Sequence, residues 1–277
     1  MSGPDWSFGN LGAGNFQNND YTKMTWEGPY NLIHRANLAI ENITPMKTLS
    51  EPVKNNAIGQ LNFLKAYAYF LLVRAFGEVP IHTITVNAGG DINQPRQPIP
   101  TVYAHIIDLL SQAETMMYKN TDAGFQPGRA SAGAAASLLA KVYVTMGSGA
   151  LATGNVNVRG GVPFTMNGTE KVFTSPATFT VSKKQLAGYA SLNAQEYFTK
   201  ARDKALEVIN GKYGAYALLP YDQVFLRANR NSSENIWTLQ SVAGNANYGV
   251  QFSAGYTGTY NAKGNIETGL WWGMRDH

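Results

Sequence analysis

The sequence predicts a mainly α-helical protein, built as an irregular helical-repeat scaffold with long loops and a minor β component. Three observations lead to this class. Five segments carry apolar residues with a helical period, and four of them form two consecutive pairs. The segment FLKAYAYFLLVRAF is apolar on nearly all sides, as a helix packed between other helices would be. The segments around the helices are rich in Gly, Asn and aromatic residues and have no period.

The first predicted helix runs from about Trp26 to Ile43, with Thr25 as its N-cap. Its apolar residues form two stripes, so we expect burial on two sides. Asn37 falls on one of these stripes. A buried amide must find hydrogen-bond partners, and we expect Asn37 to fix the helix register against a neighbour rather than to bind a ligand.

The second helix is predicted from near Ser50 to Phe76. The eight residues after Lys65 carry no charge, but the apolar stretch is shorter than the roughly 20 residues that cross a bilayer. It therefore indicates a helix buried in an all-helical core. Gly77 can adopt the left-handed conformation that ends a helix, and Pro80 blocks continuation.

A third helix spans about Thr101 to Tyr118, where apolar residues recur in steps of four and three. A fourth opens at Ser131, whose hydroxyl suits the N-cap position. The fourth helix is rich in small residues, which let a neighbouring helix approach closely: Ala134, Ala135, Ala136 and Ala140.

A fifth helix starts at Asn193, with Glu196 placed for a variant capping box, and ends at Gly211. Helices in consecutive pairs are typical of tetratricopeptide-like packing. The first pair spans about 50 residues against 34 in that repeat, so the scaffold is irregular. The segment before the fifth helix suits a long loop with a hairpin, and ENIWTLQSV a short strand.

The composition excludes several classes of function. Charged residues make up 14% of the 277 residues, the net charge is +4, and the basic residues are scattered, so we expect no nucleic-acid partner. The chain has no cysteine, which removes disulfides, thiolate zinc sites and cysteine nucleophiles. MSGPDWSFGN has neither a basic start nor an apolar core, so we expect a cytosolic protein or one whose leader lies outside this chain.

The sequence contains no recognisable catalytic or metal-binding motif. The four histidines lack metal-ligand spacing, and GSGALA follows a helix rather than a strand, which argues against a dinucleotide turn. A glycosidase needs two facing carboxylates, and nothing in the sequence brings such a pair together. We therefore predict no catalytic residues, no metal and no cofactor. Two facing carboxylates in one cleft would revive the glycosidase alternative.

Aromatic and amide side chains cluster in the first and last loops. Flat rings stack on the apolar faces of sugars, and amides offer both donor and acceptor to hydroxyls. The tandem tryptophans lie outside any helical period, so one ring can be presented to a ligand. The alternative is that these rings pack the loops down. The predicted ligand-binding residues are Trp6, Asn10, Asn18, Tyr260, Trp271, Trp272 and Arg275.

Five phrases occur in a characteristic order: NLIHRANLAIENI, GQLNFLKAYAYFLLVRAFGEVPI, PRQPIPTVYAHIIDLLSQAE, GRASAGAAASLLAKVYVTMG and SENIWTLQ. Together they closely resemble the SusD/RagB family of outer-membrane nutrient-binding lipoproteins. The resemblance covers about residues 26–147 and 193–240. It is specific as a set, whereas each phrase alone is weak.

The resemblance implies four tetratricopeptide-like helical pairs that carry long ligand-binding loops. It also implies a non-catalytic cell-surface protein of the outer membrane, which binds an oligo- or polysaccharide, or in some members a peptide. Such a protein sits as a lid on a SusC-like TonB-dependent transporter and touches the membrane only through a lipid anchor, which we expect to lie outside this chain. The family is near twice this length, so we expect the chain to be a portion of a longer protein, with the fourth helical pair incomplete.

These considerations divide the chain into a SusD-like helical-repeat region with an N-terminal loop segment, residues 1–230, and the start of a loop-rich region, residues 231–277. One alternative function stays open, a helical-repeat adaptor that binds a peptide or protein and no sugar. Coplanar aromatic rings in the terminal loops would favour sugar, whereas a groove along the helices would favour a peptide.

Overall fold

The structure is a computed structural model that describes residues 20–160, 164–173, 177–224 and 226–240. The chain divides into two units, Met1–Trp237 and Thr238–His277, and the helices and strands named below belong to the first unit. The domain boundary that we expect between residues 230 and 231 stays a prediction.

Helices dominate the described residues, as predicted. The α-helices are α1 (Asp20–Ile43), α2 (Glu51–Phe76), α3 (Ile99–Met116), α4 (Ala132–Ala150), α5 (Ala194–Ile209) and the short α6 (Tyr221–Val224). Two 3-10 turns lie at Val86–Ala88 and Arg227–Asn229. The five long helices match the five predicted segments.

Each long helix packs mainly against its neighbour in the chain. The α1–α2, α2–α3, α3–α4 and α4–α5 pairs all make extensive contacts, and α2 also touches α4. This succession of packed neighbours confirms the irregular tetratricopeptide-like scaffold. A helix inside the succession buries one face against the preceding helix and another against the next, which explains why α2 is apolar on nearly all sides.

The second helix forms the middle of the core. Its residues Ala66, Ala68 and Tyr69 are completely buried, in agreement with the uncharged stretch that predicted an internal helix. The helix ends at Phe76 as predicted, and the Gly77 N–H donates to the Val73 carbonyl at 3.0 Å. Gly77 has a φ of 73° and a ψ of −115°, so it does not adopt the left-handed helical conformation that we expected. The short strand β1 (Val79–Pro80) then pairs in antiparallel fashion with β2 (Arg96–Gln97).

The predicted boundaries of two helices were wrong. Helix α1 begins at Asp20 instead of Trp26, so Thr25 lies inside the helix and is not its N-cap. The extra turn has no apolar period but carries an ion pair between Lys23 and Glu27 at 3.8 Å, one turn apart. Helix α3 is displaced by two residues at each end relative to the predicted span.

Asn37 has the structural role that the sequence indicated. Its side chain is 2% exposed, and its Nδ2 donates to the His82 carbonyl at 3.0 Å. Tyr30, on the same helix, donates its hydroxyl to the Pro80 carbonyl at 2.9 Å. These two bonds fix α1 against the segment that follows α2.

The small residues of α4 allow the close packing that was predicted. Ala135 and Ala136 are completely buried. At Gly147 an added Cβ would lie 2.9 Å from the Phe198 ring and 3.1 Å from the Ala194 carbonyl oxygen, both on α5. Since real Cβ contacts are longer than this, the approach of α5 requires glycine here.

A β arm occupies the connection between α4 and α5, where we predicted a long loop with a hairpin. Strand β3 (Thr153–Gly160) pairs with β6 (Ala177–Lys184), and β4 (Phe164–Asn167) pairs with β5 (Glu170–Phe173), all antiparallel. The two pairs are nested in sequence, and Gly168 supplies a φ of 63° in the central turn.

The predicted strand at ENIWTLQSV was wrong for its described part, because residues 234–240 contain no strand. Trp237 instead packs edge-on against Phe63 and Tyr67 of α2, with ring centroids 4.9 and 5.4 Å apart. The Glu234 carboxylate accepts the Leu219 N–H at 2.6 Å. The Trp237 ring therefore anchors a loop against α2.

Candidate functional site

The residues that the sequence predicted for ligand binding all lie outside the described residues: Trp6, Asn10, Asn18, Tyr260, Trp271, Trp272 and Arg275. Their grouping into one surface stays a prediction. The described part of the chain contains a different concave feature, a groove of about 500 Å³ between α1, α2 and the α3–α4 connection, residues 117–131. We call it the α1–α2 groove.

The floor of the groove is aliphatic. Helix α1 contributes Ala39 and Ile43, and helix α2 contributes Ala57, Leu61 and Leu64. The α2 residues are spaced by four and three positions, which places them on one face of the helix. Small residues on both helices leave the space that the groove occupies.

One wall of the groove is polar. Asn56 and Gln60 lie one turn apart on α2, and Gln126 and Arg129 come from the α3–α4 connection. The Asn56 Oδ1 accepts the Tyr118 N–H at 2.9 Å. The Gln126 Oε1 accepts the Arg129 Nε–H at 2.7 Å. Because both amide oxygens already accept a hydrogen bond within the protein, Asn56 and Gln126 offer mainly their NH₂ groups to a molecule in the groove.

Two half-buried aromatic residues, Tyr118 and Phe125, complete the lining. Gly124 packs on the Tyr118 ring, where an added Cβ would lie 2.7 Å from Cε2. The volume is within the range of small-molecule ligand pockets in proteins. An aliphatic floor beside a wall of donors can hold a molecule that has one apolar face and several acceptor atoms.

A second polar cluster joins α3 to α5 and bears on the glycosidase alternative. The Lys204 ammonium lies 2.7 Å from Glu207 and 3.1 Å from Glu114, and contacts the Tyr213 hydroxyl at 3.1 Å. Hydrogen bonds from Lys204 and then Lys212 lower the pKa of Glu207 to about 2. A general acid needs a raised pKa, so this cluster has the properties of a structural ion-pair network.

A third cluster lies among α1, α2 and α3. Burial lowers the pKa of Lys65, and the attraction of Glu41 opposes this effect. Burial, and then the positive charge of Lys65, lower the pKa of His105 to about 4. The Glu41 carboxylate accepts the Thr85 N–H and hydroxyl, both at 2.7 Å, which lowers the pKa of Glu41. The low pKa of His105 keeps its imidazole neutral at physiological pH.

Among the described residues, no three His, Cys, Asp or Glu side chains lie close enough together to hold a metal ion. No helix within the same residues is both long and apolar enough to cross a membrane.

Sequence reasoning missed the α1–α2 groove. In its polar wall Asn56 contacts Tyr118, which lies 62 positions away in the sequence. The periodicity of apolar residues within one helix cannot predict a contact over that distance. The amides of Asn56 and Gln60 do not stand out in the sequence, because the first half of α2 carries other polar residues such as Lys54 and Asn62.

Comparison with known proteins adds independent information. Residues 7–144 match the model of a SusD-like family that is described as starch-binding and associating with the outer membrane. The match covers α1 to α3 and most of α4.

The curated relatives that the chain matches are also SusD-like proteins. A SusD-like protein P2 from Formosa agariphila is 32% identical over 130 residues, which is 47% of this chain and 25% of that protein. A SusD-like protein from Bacteroides ovatus is 31% identical over 124 residues, which is 43% of this chain and 21% of that protein. The chain thus matches about a quarter or less of the length of these relatives.

Solved structures share the fold. A SusD superfamily protein from Parabacteroides distasonis is 25% identical with a TM-score of 0.57, over 80% of this chain and 38% of that one. A structure determined with xylogluco-oligosaccharide is 23% identical with a TM-score of 0.54, over 79% of this chain and 35% of that one.

Proposed function

Because the chain belongs to the SusD-like family, we propose that it is a cell-surface protein that binds a glycan and delivers it to a TonB-dependent outer-membrane transporter. The observation that carries this proposal is the match of residues 7–144 to a family described as starch-binding and associating with the outer membrane. The shared helical scaffold supports it. The transporter partner, the lipid anchor and the position at the cell surface are parts of the proposal.

The ligand surface proposed for this function lies in the terminal loops, with Trp271 or Trp272 as the stacking ring and Tyr260 and Trp6 as its companions. Indole rings provide a flat apolar face for a sugar ring, and Arg275, with Asn10 and Asn18, supplies hydrogen bonds to hydroxyls. Adjacent residues of an extended segment point to opposite sides, so one of the two indoles can pack inward while the other is presented.

The protein is proposed to bind without catalysis. The two carboxylates that share Lys204 form ion pairs, and the low pKa of Glu207 keeps it charged. Sustained hydrolysis of a polysaccharide by the pure protein, lost on replacing one Asp or Glu, would contradict this part of the proposal.

The site is tested with separate Trp271→Ala and Trp272→Ala variants and calorimetric titration of a glycan that the wild-type chain binds. Xylogluco-oligosaccharide is the first probe, because a structural neighbour was determined with it. We expect at least one variant to lose binding while its melting temperature is unchanged. If both variants bind like the wild type and stay folded, the assignment is wrong. If alanine unfolds the chain, Trp271→Phe and Trp272→Phe are compared with the wild type by ligand quenching of indole fluorescence, and loss of quenching in one of them identifies the contacting ring.

A further inference from the structure

We propose that the α1–α2 groove is a docking surface for a short polypeptide segment that combines apolar side chains with a carboxylate. This interaction is separate from glycan binding and uses none of the residues assigned to the glycan. The inference depends on the chemistry of the groove floor, on the hydrogen-bonding state of its wall, and on the charge of Arg129.

The floor of the groove selects aliphatic side chains. Ala57, Leu61 and Leu64 form one continuous strip along α2, and Ala39 and Ile43 come from α1. Aliphatic side chains gain free energy when they leave water and pack against other aliphatic groups. The two aromatic residues of the lining, Tyr118 and Phe125, come from the α3–α4 connection and not from the floor. The floor therefore suits side chains such as leucine.

The wall of the groove presents an excess of donors. The Asn56 and Gln126 amide oxygens already accept protein hydrogen bonds, which leaves their NH₂ groups directed to other acceptors. Gln60 lies one turn after Asn56 and is half-buried, so a second amide continues the row along the helix. A polypeptide backbone supplies acceptor oxygens at regular intervals, and a row of side-chain NH₂ groups complements them.

Arg129 adds a positive charge at the end of this wall. It is the one formally charged residue among those that line the groove in the described part of the chain. Its Nε is held by Gln126 at 2.7 Å, which orients the guanidinium, and its two terminal nitrogens make no hydrogen bond with the described residues. A guanidinium with both terminal nitrogens available binds a carboxylate in a bidentate way. The occupant is thus expected to carry a carboxylate.

The proposal is tested by calorimetry on the full 277-residue chain with two probes, N-acetyl-trileucine as the free acid and the same peptide as its C-terminal amide. We expect saturable binding of the acid, about fivefold tighter than binding of the amide. Arg129→Gln should abolish this difference. Val53→Glu, at a 45% exposed position on the groove, should weaken binding of the acid without affecting folding.

Matched controls lie elsewhere on the helices. Arg35→Gln on α1 removes an exposed arginine outside the groove, and Val144→Glu on α4 changes a valine that is 49% exposed. Both controls should bind the acid like the wild type. The proposal is overturned if neither peptide binds, if acid and amide bind equally, or if the controls weaken binding as much as the groove variants.

The same variants separate this proposal from glycan binding. Binding of the acid should survive in Trp271→Ala, and binding of an oligosaccharide should survive in Arg129→Gln and Val53→Glu. If the two groove variants abolish oligosaccharide binding instead, the groove belongs to the glycan site and the peptide proposal is overturned. Failure of this proposal and failure of the glycan proposal therefore give different results.

Discussion

The Tyr69 hydroxyl forms two hydrogen bonds with the backbone of His82. It accepts the His82 N–H at 2.8 Å and donates to the His82 carbonyl at 3.1 Å. Asn37 donates to the same carbonyl, so a residue on α1 and a residue on α2 meet at one backbone position. Burial raises the pKa of Tyr69 to about 12, which keeps the hydroxyl protonated and able to donate. These hydrogen bonds to the His82 backbone explain why the Asn37 amide and the Tyr69 hydroxyl are retained in the core.

Tyr69→Phe should destabilise the protein, because the half-buried His82 N–H would lose its partner. A buried donor left unsatisfied costs about 1 to 3 kcal/mol in the free energy of unfolding. Urea unfolding of the variant measures this loss. Tyr118→Phe is the matched control, since its hydroxyl makes no hydrogen bond with the described residues, and its unfolding should be unchanged. Equal stability of Tyr69→Phe and the wild type would refute this role.

Ala136→Leu should destabilise the helical core. Ala136 is completely buried on α4, and inserting a larger side chain into a packed core costs about 1 to 3 kcal/mol. Ala104→Leu on α3 is the control, because Ala104 is exposed and leucine is nearly as good a helix former there. Thermal unfolding compares the two. A melting temperature of Ala136→Leu equal to that of the control would mean that this helix face has free space.

His105 should make the stability depend on pH. Its pKa is about 4 in the folded protein, against 6.5 when unperturbed, so the unfolded chain binds more protons between these values. Stability is therefore complete above pH 6.5 and is lost as the pH falls toward 4, by about 1 to 3 kcal/mol. The groups that act on His105 are Lys65, whose charge lowers its pKa, and Asp108, which raises it.

Denaturant unfolding at pH 7 and at pH 5 measures this dependence, because ordinary carboxylates titrate mainly below that window. In His105→Gln the stability difference between the two pH values should be smaller than in the wild type. An identical difference in both proteins would show that the imidazole is not held neutral by burial.

Much of the scaffold could be predicted from the sequence because its signals are local. The N-cap at Ser131 accepts the Ala134 N–H at 3.3 Å, and the N-cap at Asn193 accepts the Glu196 N–H at 3.1 Å, as their residue types indicated. At Asn193 the Glu196 carboxylate pairs with Lys200 at 2.6 Å. An i,i+4 ion pair thus competes with the return bond of the predicted capping box.

Features that depend on distant contacts could not be predicted. The alternating apolar residues around Trp237 favour a strand, whereas its ring is fixed by Phe63 and Tyr67, far away in sequence. The first turn of α1 has ion pairing and no apolar period, so the pattern places the helix start too late. The groove has no local signature, since Arg129 and Asn56 come together only in the folded chain.

The proposed binding of a glycan is measured with a glycan array probed with the purified 277-residue chain. We expect saturable binding to at least one class of oligo- or polysaccharide, without release of shorter sugars and with loss of signal in Trp271→Ala or Trp272→Ala. Binding to no glycan on an array that includes starch and xyloglucan fragments, by a chain shown to be folded by its cooperative thermal unfolding, would contradict it.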